Sequence, residues 1–171
     1  TLPQTPKLQL PQPTPQRLKP MSYYARFEYK KDSSENDHLF RFDTRIYLDK
    51  HDIREEGECV GAIVGKNPGS AKPKLDESGN PILGKLSDIC LDGDRMLPSV
   101  RNRFRDAYEQ NGKGIPENAF VQVWNLFYLC NKTLDDACVQ IAHFAKPSEY
   151  ECPSEKKDLN IVWFAWGGND K

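Results

Sequence analysis

The order of segments along this chain predicts an α/β fold: a three-layer α/β/α arrangement whose short, mostly parallel central sheet carries an antiparallel hairpin at one edge. Three observations carry that reading. Apolar runs at 59–65, 120–124 and 160–166 are short and uncharged, as expected of strands covered on both faces. A helical stretch separates each run from the next, and strand, helix, strand, helix, strand is the order that gives parallel strands and right-handed crossovers. Upstream, aromatic and β-branched residues alternate in part with polar ones, which marks a half-buried strand instead.

Taken in order, residues 1–20 hold six prolines (Pro3, Pro6, Pro11, Pro13, Pro15 and Pro20), too many for a helix or a central strand. They form an extended leader, read either as a tether or as a proline-rich ligand for a protein partner. Residues 21–171 then read as a single α/β domain. Leu39 to Leu48, with the order L-F-R-F-D-T-R-I-Y-L, pairs with Tyr23 to Tyr29 as the edge hairpin. Cys59 to Gly65 is the central strand. Pro68, Gly69, Pro73, Gly79, Pro81, Gly84 and Gly93 make Lys66 to Arg95 a long surface loop, and loops of that length are often functional. Pro98-Ser99 opens a helix with Leu97, Val100, Phe104 and Tyr108 on one stripe, and Gly112 stops it. Phe120 to Trp124 is a second buried strand. Thr133-Leu134-Asp135-Asp136 is a capping box that starts a helix running to about Ala145. Asn160 to Trp166 is a third buried strand, closed by Gly167-Gly168.

Composition narrows the function. The chain has 171 residues, the size of one domain, and its 24 basic residues against 25 acidic ones exclude a wholesale basic coat for nucleic acid. Any polyanion site is therefore a local patch. No apolar run approaches the roughly 20 residues that cross a bilayer, and the leader has no apolar segment of a secretory signal. Five cysteines without a C-x-x-C pair and three histidines without H-x-x-x-H spacing give no metal site and no cofactor, and they suit reduced thiols in a cytoplasmic protein. The acidic residues of the long loop, Asp76, Glu77, Asp88, Asp92 and Asp94, do not follow the calcium-loop pattern.

In parallel sheets, ligands gather at the carboxyl ends of the strands. Here those ends are Gly65-Lys66-Asn67-Pro68-Gly69-Ser70, Asn125 and Gly167-Gly168. The first is neither a P-loop nor a G-x-G-x-x-G turn, so neither nucleotide fingerprint applies. Pro68 fixes φ and Gly69 admits positive φ, which leaves the Asn67 amide either to orient water or a ligand or to cap its own turn. Asn125 follows a largely apolar strand, so its semi-buried amide must find partners, either the edge of a base or a neighbouring loop. Phe127 either stacks on a planar ligand or joins the core. Arg101, Arg103 and Arg105 are the dense basic cluster, with Arg101 and Arg105 the candidates for phosphate against the plainer reading of a solvated helix face.

Three short motifs in this order, Asn67-Pro68-Gly69-Ser70-Ala71, Asn125-Leu126-Phe127 and Ala165-Trp166-Gly167, resemble the bacterial and phage domain-of-unknown-function family 1643. The layout is also similar to the uracil-DNA glycosylase superfamily, where G-x-N-P-G opens the mismatch-specific branch, an Asn after the next strand reads the base, and W-G follows a later strand. The resemblance implies that Asn67 is the catalytic residue that orients the attacking water and that Asn125 bonds the base edge. It implies further that Phe127 or Phe104 stacks on an extruded base, with Gly65, Pro68, Gly69, Ser70 and Gly167 completing the substrate loops. In that superfamily a His-Pro or Asn-Pro motif follows the W-G strand. This chain reaches Lys171 without one, so the domain reads either as truncated at its C-terminus or as having lost half of the site. Two functions follow: a nucleobase- or nucleic-acid-directed domain, with DNA or a nucleotide as partner, that hydrolyses an N-glycosidic bond; or a non-catalytic protein-interaction module with a vestigial pocket.

Overall fold

The computed structural model of the chain describes residues 21–51, 57–69, 71–91, 93–144, 152, 155–156 and 158–165. The proline-rich leader, Ser70, Gly167 and the proposed truncation point lie outside them. A tight turn joins the first two strands, β1 (Met21–Lys31) and β2 (Asp37–His51), into a long antiparallel hairpin. The turn is held by Asp32, whose carboxylate accepts from the backbone N–H groups of Ser34 and Asn36, at 2.8 and 3.0 Å, and pairs with His38 at 3.0 Å. These bonds, that from the Asn36 backbone foremost, hold the Asp32 carboxyl below its ordinary range.

Asp43 interrupts the ladder at positive φ, 47°, and β2 spends one more residue than β1 between the pairs Arg26–Phe42 and Tyr24–Arg45. One extra residue reverses which side chains face which way. Before it, Phe40 and Phe42 pack with Tyr128, Leu129, Ala137 and Phe144. After it, residues of the same parity, Ile46 and Leu48, pack with Phe27, Ile63, Val121 and Val123 in the main cluster. The bulge is locked by charge: Arg45 forks onto the Asp43 carboxylate at 3.0 and 2.9 Å, and Gln122 donates to the same carboxylate at 3.1 Å.

The parallel half of the sheet is β3 (Glu58–Gly65), β5 (Ala119–Asn125) and β6 (Val162–Phe164), with β3 between the other two. Between β3 and β5 runs α1 (Met96–Gln110), which buries Leu97 and Val100 and rests Phe104 and Tyr108 on the main cluster, the stripe expected from spacing. Its first N–H groups, those of Met96 and Leu97, are met by Asp94 Oδ1 at 2.8 and 3.3 Å. Gly112, at φ 62°, follows its end. The second helix, α2 (Leu134–Ile141), starts at the Thr133 cap, whose hydroxyl accepts from the Asp136 N–H at 3.3 Å.

The architecture is α/β, a mixed six-stranded sheet with two helices in the order β4-β1-β2-β5-β3-β6. It departs from the sequence reading in four ways. The sheet is mixed and not mostly parallel, because β2 pairs antiparallel with β5 and joins the hairpin to the parallel strands. The hairpin is interior, since β4 (Leu86–Asp88), which forms inside the expected loop, covers β1. α2 ends at Ile141, with a turn over 142–143. The last strand is exposed, with Ile161 at 53% and Phe164 at 62% of full accessibility; it is apolar yet forms an edge. Among the described residues, no helix is long and apolar enough to cross a membrane.

Candidate functional site at the carboxyl end of the sheet

Gly65 and Asn125 are partners across the last rung of the β3–β5 ladder, so the two strands end side by side. The Leu126 N–H closes this end by donating to the carbonyls of Gly65 and Lys66, both at 3.2 Å. Asn67 therefore emerges next to Asn125, as the parallel order requires. The Asn67 amide donates through Nδ2 to the Asn131 carbonyl at 3.0 Å. That bond ties the loop after β3 to the segment after β5 and leaves Oδ1 as an acceptor. Gly69 sits at φ 70°, the left-handed turn that follows Pro68.

Asn125 is 9% exposed, and among the described residues neither its Oδ1 nor its Nδ2 has a hydrogen-bond partner. Its side chain lies against Gly65, where a β-carbon would come within 2.8 Å of Oδ1, so glycine is what makes room for the amide. By strand alternation Asn125 shares the face of Val121 and Val123, the face that α1 covers. An amide buried without partners costs stability at this position and calls for a ligand or water.

Sequence reading missed Arg41, the second orphan here. The Arg41 N–H donates to the Tyr128 carbonyl at 2.9 Å, which fixes β2 beside the chain that leaves β5. Arg41 is 1% exposed, and among the described residues its Nε and Nη1 lack partners. Its neighbours Phe40 and Phe42 point to the α2 side, while Leu39 and Cys130 rest on the main cluster, so Arg41 faces the same side as Asn125. Burial pushes its pKa down, opposed by Cys130 and Asp94. Cys130 supplies no anion, because burial pushes its thiol up to about 12 against the pull of Arg41. An unpaired guanidinium held out of water costs several kcal/mol. In sequence Arg41 looks like the polar member of an alternating strand, and nothing local distinguishes it from a solvent-facing arginine.

A cavity of about 520 Å³ opens at this end of the sheet, lined by Asn67, Pro68, Gly69, Lys72, Asp94 and Lys132 among others. A larger groove of about 760 Å³ lies between α1 and β6, where Phe104, Tyr108, Ile161 and Trp163 line it. Phe104 thus belongs to that groove and to the core. Phe127 packs against the Phe40–Phe42 cluster. Next to it, the buried Tyr128 hydroxyl donates to Glu155, and burial together with that bond raises its pKa.

Arg101 and Arg105 are elsewhere. Arg101 Nε donates to the Tyr47 carbonyl at 3.0 Å, and Arg105 donates to the Leu48 carbonyl at 2.7 Å and pairs with Asp49. Tyr47 lies opposite Phe120, near the start of β5, so both guanidiniums serve the end of the sheet away from Asn67 and Asn125. Among the described residues, no group of His, Cys, Asp and Glu is arranged to hold a metal ion. No family model, no curated protein and no solved structure matches this chain.

Proposed function

We propose that the carboxyl end of β3 and β5 is a nucleobase-directed pocket of the glycosylase-like kind. The observation that carries this reading is the Asn125 amide, a donor and an acceptor side by side, buried and unpartnered. Such a pair matches the complementary edge of a base. Asn67 Oδ1, with Nδ2 engaged by Asn131, accepts a hydrogen bond from the attacking water and aims its oxygen at the anomeric carbon; the N-glycosidic bond breaks with its electron pair leaving on the base, which takes up the proton that the water gives up. This reading takes the two apolar clusters as the two faces of a three-layer α/β/α domain. Five free cysteines are compatible with a reducing, cytoplasmic setting.

The test is titration of the full chain with free bases, nucleosides and single-stranded oligonucleotides, with base release followed by chromatography. Asn125→Ala should weaken binding about tenfold or more. Asn67→Ala should spare binding and abolish release. Absence of binding to every base-containing probe would overturn the reading. A protein-interaction module is the second reading, and the exposed β6 residues Val162, Trp163 and Phe164, with Ile161 just before them, favour it. Binding without release would make the domain a reader and leave the enzymatic step out.

A further inference from the structure

Arginines with restricted access to water are otherwise provided for in this molecule. Arg45 has the Asp43 carboxylate, Arg26 has Glu28 and the Phe42 ring, and Arg101 and Arg105 have the carbonyls of β2. Arg41 is the most buried of these, and among the described residues its Nε and Nη1 meet no acceptor. Asp94, a carboxylate whose charge acts on it, turns Oδ1 to the first N–H groups of α1. Asp94 also lines the cavity of the Asn67 loop, together with Lys72 and Lys132, and so links the charge on Arg41 to that cavity. Among the described residues that line the cavity, two lysines stand against one carboxylate, and the buried Asn125 amide, without partners among them, offers a further donor.

We propose that Arg41 and Asn125 form an oxyanion subsite at the carboxyl end of the sheet, and that it takes a phosphoryl group. A phosphate presents several acceptor oxygens in the geometry that an arginine fork and an amide N–H complement. The phosphoryl group is that of a free phosphate or of a phosphorylated small molecule; the chemistry is the same, and the two sources are separable by experiment. The subsite stands on Arg41 and does not require that Asn125 read a base.

The test uses the full chain and four titrations by calorimetry: inorganic phosphate, a ribose phosphate, a nucleoside and the matching nucleoside monophosphate. Phosphate or ribose phosphate should bind, or the monophosphate should bind about tenfold or more tighter than the nucleoside. Binding of inorganic phosphate identifies a free anion as sufficient; binding only of the esters identifies a phosphorylated molecule. Arg41→Met, which keeps the bulk and removes the charge, should abolish that gain and should raise the midpoint of thermal unfolding without ligand. Arg41→Lys should keep only part of the gain, because the fork is lost. If the wild-type chain binds nucleoside and monophosphate equally and neither phosphate nor ribose phosphate, the subsite is overturned while the base-directed reading survives. If phosphate binds and the nucleoside does not, the base-directed reading falls and the subsite stands. A wild-type chain that binds none of the four overturns both.

Discussion

At the end of the sheet where β5 begins, Arg101 and Arg105 reach across to β2 and spend their N–H groups on the Tyr47 and Leu48 carbonyls, with Asp49 as a counter-charge. At the end where β5 stops, Arg41 and Asn125 are more deeply buried, and among the described residues Arg41 Nε and Nη1 and the Asn125 amide have no such partners. The same chemical group is mortar at one end and an open valence at the other. A buried polar group usually has its hydrogen bonds made within the protein. Among the described residues Thr44 and Ser87 also carry buried hydroxyls without partners, but Arg41 and Asn125 are the charged group and the amide among these exceptions, and they mark the candidate site better than the density of charge does. The basic helix was the conspicuous feature of the sequence, and it serves the fold.

The contrast can be broken at its strongest point on β2 itself. Asp43→Asn should strip Arg45 of its counter-charge and cost about 2–3 kcal/mol, below the full penalty of a buried pair because Arg45 is partly exposed. Urea unfolding should show this as a lowered midpoint, whereas Arg41→Met raises the midpoint. A loss from both substitutions would mean that the two arginines do the same work. Replacing Arg101 and Arg105 together by Ala should cost about 1–2 kcal/mol through the carbonyls left bare, with phosphate and base binding unchanged. A drop in affinity would bring the far end of the sheet into the site. Thr133→Ala should cost about 1 kcal/mol through the lost α2 cap. Because Asn131, two residues before Thr133, holds Asn67, a change in base release measured alongside would show that α2 positions the loop. The smallest effect is expected at Cys130. With its thiol pushed up to about 12 it stays protonated at pH 8. Brief alkylation of the native chain should then label the exposed Cys90 and Cys138 and spare Cys130, as read by mass spectrometry. Labelling at Cys130 would show that water reaches the Arg41 side of the sheet.

The parallel half of the fold was legible from the sequence. Short uncharged runs marked β3 and β5, the Leu97–Tyr108 stripe marked α1, and the T-x-x-D pattern marked the start of α2. The juxtaposition of Asn67 with Asn125 followed from the strand order alone. What stayed hidden depended on partners distant in sequence. The pairing of β2 with β5 is set by residues some 79 positions apart, as the Asp43–Gln122 bond illustrates, and no local pattern encodes it. The exposure of β6 was hidden for the converse reason, since an apolar run reads as buried whether or not anything covers it. Arg41 escaped notice because alternation shows only that it opposes Phe40 and Phe42. It cannot show which side holds water.

The extra residue at Asp43 acts as a phase shifter in the alternation of β2. The bulge absorbs that residue without turning either half of β2, just as in the 76–80 turn a residue gained or lost changes only solvent-facing positions. Deleting Asp43 alone would bring the two halves of β2 into one phase. With the C-terminal half kept in place by Val121 and Val123, Phe42 and Thr44 would become neighbours in unbroken alternation, so Phe40 and Phe42 would stay on the aromatic side and Arg41 on the side of Asn125, and what is lost is the carboxylate that holds Arg45 and Gln122. A single-codon deletion here would thus be felt in the stability of β2 and leave the facing of the candidate site unchanged.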